Sequence, residues 1–346
     1  MLGKRWMKIG TLVLLGLFIA MPFAICAKPA TVFAAPKTIN LKFAYWMPTK
    51  HTLHRVFVKY AKEVEELTKG RVKITLYPGG ALGGALEQWD MALGGIADLS
   101  FFMPGYTAGR FPRSTVFDLP LIGGGSCAVN TAIAQGVFEK YIMPDYKDAK
   151  MLIFFVSEPF TIHTSKKKIK TLADIKGLKF RSSGAVQSAT VKRLGGSPVT
   201  LPITEVYTSL EKGVIDGVVT AFTAMVSFRL YDVSKYSILA GLTATPMAVA
   251  MNKKTWNSLP PDIQKIFDNL KMRYAFECAT SYDEDRIKAI QRGRSLGKDI
   301  YPLSPAELQK WENRLAPIYD DWVADMKSKG LPGDELLNAV RQLKGK

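Results

Sequence analysis

Hydrophobic positions along this chain first alternate and then step. Ile39, Leu41, Phe43 and Tyr45 are separated by polar or small residues, which predicts a strand with one face in a core. Leu53, Val56, Phe57, Tyr60, Val64 and Leu67 then recur at helical spacing until Gly70 ends the run. The two periods keep trading places: Val72–Tyr77 and Ala97–Phe102 read as strands, Glu87–Leu93 and the stretch around Val129–Tyr141 as helices. A second set follows in Met151–Val156, Leu178–Arg181, a helix capped by Thr204, and Asp216–Phe222, before Met247–Met251 returns as a strand to the first set. This alternation predicts an α/β fold, whose ligands sit in crevices at the carboxyl ends of strands.

Two long helices complete the pattern. Ser258-Leu-Pro-Pro-Asp262 offers a cap, first-turn prolines and an early acid, and the run after it meets no proline or glycine until Gly293. Ser304-Pro-Ala-Glu307 reads as a capping box for a last helix with Leu308, Trp311, Leu315, Ile318, Tyr319 and Trp322 on its buried stripe.

Lys4, Arg5 and Lys8 precede an apolar stretch from Ile9 to Ile25, and small residues follow at Ala34 and Ala35. That order is a secretory leader, with cleavage expected after about Ala34. Its rival, a permanent anchor, is disfavoured by Pro22 in a run near the minimum spanning length. The bulky Ile25 ahead of Cys26 argues against lipid attachment there. No later stretch is long and apolar enough to cross a bilayer, so the processed chain is expected to be soluble in the periplasm. About 312 residues then remain, more than one core usually holds, so two lobes are expected.

Charge narrows the partners only a little. The leader takes Lys4, Arg5, Lys8 and Lys28 from the 47 Lys and Arg and none of the 30 Asp and Glu, lowering the formal charge from +17 to +13. A positive field of that size favours anionic partners in general. The Lys166–Lys170 cluster lacks interleaved aromatics for base stacking, and the other lysines are scattered, which argues against nucleic acid. Cys127 and Cys278, the two cysteines left after processing, are too few and too far apart to form a disulfide framework.

Catalytic and cofactor signatures are missing. His51 and His54 lie three apart at a helix start with no Cys or acid pattern to complete a metal site, and His163 sits among strand residues as a packed or capped side chain. Gly79–Gly84 lacks the Lys-Ser/Thr ending of a phosphate loop and reads as a flexible turn. No Gly-x-Ser-x-Gly elbow or nucleophile, base and acid set is present. The expectation is a binding protein without cofactor or metal, not an enzyme.

Four segments carry a family resemblance covering Ile39 to the last helix. They are Ile169–Gly184 with Arg181 at its strand end; Pro202–Gly217; Gly109–Pro112 with Phe117–Pro120; and Met251–Pro260. Together they resemble the substrate-binding proteins of tripartite ATP-independent periplasmic (TRAP) transporters. The resemblance implies a two-lobed, Venus-flytrap receptor with a long helix spanning both lobes. It implies lobes of 35–157 plus 246–285 and 158–245 plus 286–346 after a leader at 1–34, with crossings near Ser157 and Pro246 and inside the long helix.

By the same resemblance, Arg181 is the fork that holds an organic acid's carboxylate. Trp46, Phe102, Met103 and Ile203 fall at the family's pocket positions. Sugar-acid branches carry a second arginine where this chain, aligned through Glu158-Pro159, has Phe160, and an asparagine where it has Thr220, followed by Phe222. A cleft lined by Trp46, Phe102, Met103, Phe160 and Phe222 leaves a polyhydroxylated acid without partners, and each unmet polar group costs roughly 1 to 3 kcal/mol. The expected ligand is therefore a monocarboxylate with an apolar or aromatic body, delivered by a monomer to membrane subunits driven by an ion gradient. A sensor's binding module and an exported enzyme acting on organic acids are the alternatives; docking to membrane subunits and turnover of the ligand separate them.

Overall fold

In β1 (Ile39–Ala44), Leu41 and Phe43 are buried on either side of the exposed Lys42, and α1 (Thr52–Leu67) buries Leu53, Val56, Phe57, Tyr60 and Val64 on one stripe. A computed structural model describes residues 38–123 and 125–345, so the leader and the Cys26 question lie outside the described residues. The chain continues through β2 (Val72–Tyr77), α2 (Gln88–Gly94), β3 (Leu99–Phe102), α3 (Cys127–Val137) and β4 (Lys150–Val156). A second series comprises β5 (Thr161–Thr164), β6 (Lys179–Ser182), α4 (Ala185–Leu194), β7 (Ser197–Thr200), α5 (Val206–Glu211), β8 (Gly217–Thr220), α6 (Phe222–Ser227) and β9 (Tyr236–Ile238). The chain then runs through β10 (Pro246–Met251), α7 (Lys253–Ser258), α8 (Pro261–Ser295), β11 (Asp299–Tyr301), α9 (Pro305–Leu315), α10 (Pro317–Ser328) and α11 (Gly333–Lys344).

Two sheets result. The first has the order β2-β1-β3-β10-β4, with β10 antiparallel to both β3 and β4. The second has the order β11-β9-β5-β8-β6-β7, with β6 parallel to β7 and β8. The strand β10 therefore returns to the first sheet after β5 to β9 have entered the second, and β11 joins the second sheet later.

The connections between the sheets run side by side. Ser157 N–H donates to the Thr245 carbonyl (2.9 Å), and the Phe160 N–H donates to the Thr243 carbonyl (2.7 Å). Ser157 Oγ accepts from the Thr245 N–H, so the two strands of chain hold each other through the passage. The third connection is α8, whose 35 residues extend about 52 Å at 1.5 Å per residue. It packs on α1, α3 and β4 around the first sheet and on α6 and β11 around the second. Beyond its middle, the Asp283 carboxylate accepts the Cys127 and Ala128 N–H groups (2.7 and 2.9 Å) and caps α3. Near its end Gly293 is required by closeness, because a Cβ there would meet Tyr231 and Ile300 at 2.7 Å.

Three details differ from the expectation. Pro202, not Thr204, stands at the cap position of the turn before α5, with no side chain closing it. The last predicted helix is two, because Pro317 has no N–H to continue the ladder; Trp311 and Trp322 are buried all the same. Finally, α11 packs on α3 beside the first sheet, while α9 packs on α4 beside the second. Cys127 and Cys278 are buried free thiols.

Gly217 supplies a direct test of the second sheet. A Cβ there would lie 2.6 Å from the His163 carbonyl oxygen and 2.7 Å from the Phe180 ring. Because β8 is clamped between β5 and β6, Gly217→Ala should cost about 1–3 kcal/mol in urea unfolding, and an unchanged midpoint would contradict this packing.

Candidate functional site

The carboxyl ends of β1, β3, β6 and β8 converge on one small cavity of ≈ 30 Å³. Trp46 and Met103 enter it from just beyond β1 and β3, Arg181 and Thr220 from the ends of β6 and β8. Phe160 reaches it from the paired crossing, and Ile203 from the turn before α5. This is the crevice position expected of open α/β sheets. Apart from Arg181, these walls are mostly carbon and sulfur.

Arg181 is 1% exposed, and all its partners are neutral oxygens. Nε donates to the Leu201 carbonyl (2.8 Å), Nη1 to the Val219 carbonyl (3.3 Å) and Nη2 to the Tyr106 hydroxyl (2.9 Å). Among the described residues no carboxylate lies within 4.0 Å of its guanidinium, although seventeen other ion pairs form. A guanidinium has five N–H donors, so its fork is oriented by backbone while donor capacity remains. A buried cation in such a setting is costly unless an anion joins it.

Tyr106 shapes the same end of the cavity. It comes from the turn Pro104–Tyr106 after β3 and crosses to the second sheet's elements. Its oxygen accepts from Arg181 Nη2 and from the Ile203 N–H (3.0 Å), which leaves its own O–H as a donor. The ring lies 5.7 Å from Trp46, and the Arg181 guanidinium sits 5.9 Å from the ring centroid.

Two expected residues do not line the cavity. Phe102 turns into the first lobe's core against Trp89 (4.9 Å) and Phe111 (5.6 Å). Side chains on a strand alternate, so Phe101 and Met103 share the cavity face and Phe102 takes the other. Phe222 sits at the first position of α6 and meets the His163 ring edge-on at 4.9 Å, while Thr223 and Ala224 face the cavity instead. His163 is itself a core group: Nδ1 meets Ser237 Oγ at 2.8 Å, Nε2 meets the Thr220 carbonyl at 3.3 Å, and burial lowers its pKa to about 3.

The sequence reading missed His51, Tyr106 and Tyr282, all of which line the cavity. His51 is the N-cap of α1, its Nδ1 accepting the Leu53 N–H at 3.1 Å. Burial lowers its pKa to about 3, against an opposing pull from Asp285, so the ring is neutral. With Nδ1 accepting, the proton is on Nε2, which faces Tyr282 Oη at 3.4 Å. Its place at a helix start was visible in the sequence, but Tyr282 lies 231 residues away. Among the described residues no cluster of three or more His, Cys, Asp or Glu is placed to hold a metal ion.

Behind the cavity, Glu158 supports the start of α6. Its fully buried carboxyl accepts from the Thr223 N–H (3.1 Å) and hydroxyl, and its other oxygen lies 3.6 Å from Arg286 Nε on α8. Burial pushes its pKa up to about 7, outweighing the Thr223 donors and Arg286.

Two α/β sheets joined by paired crossings and a shared helix, with a buried guanidinium in the cleft where their strand ends meet, define a two-lobed solute-binding protein. The model of bacterial extracellular solute-binding protein family 7 matches residues 43–325, and the chain belongs to that family, which includes the TRAP transporter receptors. The 2,3-diketo-L-gulonate-binding periplasmic protein YiaO of Escherichia coli is 26% identical over 312 residues, 88% of this chain and 92% of its own. A TRAP solute-binding protein from Rhodoferax ferrireducens, solved with copurified benzoate, superposes with a TM-score of 0.85 at 29% identity, covering 89% of this chain and 98% of its own. A marine metagenome TRAP protein specific for aromatic acids, solved with 3-hydroxybenzoate, gives 0.85 at 30% identity with the same coverage.

The Glu158 shift has a definite sign. An unfolded glutamate releases its proton near pH 4.3, whereas the folded one keeps it until about pH 7. Between those values the folded state binds more protons, so stability falls as pH rises. Glu158→Gln should remove this slope, its melting temperature gaining on wild type from pH 5 to pH 8; parallel curves would refute the assignment.

Proposed function

We propose that this protein captures a monocarboxylic acid with an aromatic or branched apolar body in the cleft and delivers it, unchanged, to the membrane subunits of a TRAP transporter. Arg181 carries the reading: its buried charge is oriented by three neutral oxygens, with no carboxylate of the described chain beside it. A ligand carboxylate there takes charge-assisted N–H bonds from Arg181 and the free O–H of Tyr106. Because Tyr106 belongs to the first sheet's side and Arg181 to the second, such a ligand stabilises the closed state more than the open one, as ligand-driven closure requires. On this reading residues 35–157 with 246–285 and 158–245 with 286–346 act as lobes, α11 at the end of the second docking back on the first, after a leader is removed, and the receptor works as a periplasmic monomer.

The walls favour an apolar body. Trp46, Phe101, Met103, Phe160 and Ile203 offer surface to a ring and little to a row of hydroxyls. Relatives bind both kinds of acid, a diketo-gulonate for the Escherichia coli protein and benzoate for the Rhodoferax one, so composition of the walls decides between them.

A thermal-shift panel should show stabilisation by benzoate, phenylacetate or branched 2-oxo acids and none by sialic or uronic acids; stabilisation by the sugar acids alone would overturn the ligand class. In calorimetry, Arg181→Ala should weaken binding of whichever acid responds by about tenfold or more, while an unchanged affinity would remove Arg181 from the anchor role.

A further inference from the structure

The hydrogen bonds at His51 and Tyr282 are incomplete in one direction. Nδ1 of His51 is committed to the Leu53 N–H, so only Nε2–H faces the cavity side of the ring. Its partner, Tyr282 Oη, is 3.4 Å away, beyond the usual 2.7–3.2 Å for such a bond. The Tyr282 hydroxyl otherwise meets Met247 Sδ at 3.7 Å, and a thioether is a weak acceptor. Each of the two buried donor hydrogens therefore has only a poor acceptor: Nε2–H a distant phenol oxygen, and the Tyr282 O–H a thioether. The side chains around them are apolar: Phe228 is 5.9 Å from the His51 ring, and Phe155 is 6.0 Å from Tyr282.

Tyr282 and His51 are 2% and 5% exposed and line the same cavity as Arg181, yet share no hydrogen-bond partner with it. They make a second polar station in an otherwise apolar space. A buried donor held only by a long or weak bond gains when a better acceptor arrives, and a site built for a hydroxyl discriminates against the analogue lacking it.

We propose that His51 and Tyr282 read a hydroxyl group, and that the preferred ligand is an aromatic monocarboxylate bearing a ring hydroxyl away from its carboxylate. The hydroxyl oxygen accepts from His51 Nε2–H, and its proton goes to Tyr282 Oη. One group doing both fits a hydroxyl and not a methyl or a bare ring edge. A 2-oxo group does not serve, since it stays beside the carboxylate held at Arg181. This inference rests on the monocarboxylate reading above and adds the second recognition point.

Calorimetry with benzoate, 3-methylbenzoate, 3-hydroxybenzoate and 4-hydroxybenzoate tests it. Wild type should bind at least one hydroxybenzoate about tenfold more tightly than benzoate, and the methyl analogue should show no such gain. In Tyr282→Phe, and independently in His51→Asn, whose amide oxygen can still cap α1, that ratio should fall towards one. Equal binding of benzoate and both hydroxybenzoates, or a preference that survives in both variants, overturns the hydroxyl reading while leaving the monocarboxylate reading intact. Failure of all four acids to bind overturns the aromatic ligand assigned here, while binding of a branched 2-oxo acid would still uphold the monocarboxylate reading.

Discussion

A guanidinium enclosed by protein must be matched by something negative, and Arg181 is matched by nothing negative among the described residues. Leu201, Val219 and Tyr106 orient it without neutralising it. Those three partners come from the strand and turn ends of the second sheet and from a turn beyond the first. Orientation of the charge therefore depends on the two sheets meeting at this point, and so does every other wall of the cavity.

The frame that brings the sheets together is economical. Two crossing segments are bonded to each other at Ser157–Thr245 and Phe160–Thr243, so neither passes between the lobes alone. The helix α8 makes a third link, contributes Tyr282 to the cavity, and places Arg286 against Glu158. Glu158 in turn accepts from Thr223, a residue of the cavity wall. The crossing is thus tied through one hydrogen-bonded threonine to the cleft wall.

A guanidinium can hold any carboxylate, so the walls that face Arg181 bear on what else the ligand carries. Here the position after the first crossing is Phe160 and the end of β8 is Thr220, both lining the cavity. On the proposed reading specificity then depends on the remaining polar groups, and the His51–Tyr282 pair shares no hydrogen-bond partner with Arg181. An anchor that fixes one end of the ligand gives such a second station its meaning, since only a ligand of suitable length reaches both.

Period and composition alone determined the α/β alternation, the long helix after Pro260 and the buried Trp311 and Trp322, because these follow from which residues must leave water. Resemblance over four segments pointed to Arg181, Trp46, Met103, Phe160, Ile203 and Thr220, all of which reach the cavity. It also pointed to Phe102 and Phe222, and there the alternation of a strand and the first turn of a helix put the neighbours, Phe101 and Thr223, in their place. Tyr106, His51 and Tyr282 were not legible, since their roles exist only when a turn after β3, the start of α1 and the middle of α8 meet. A hydrogen bond between residues 231 positions apart leaves no periodicity in either segment; distance along the chain says nothing about it, and the packing of α8 across both sheets decides it.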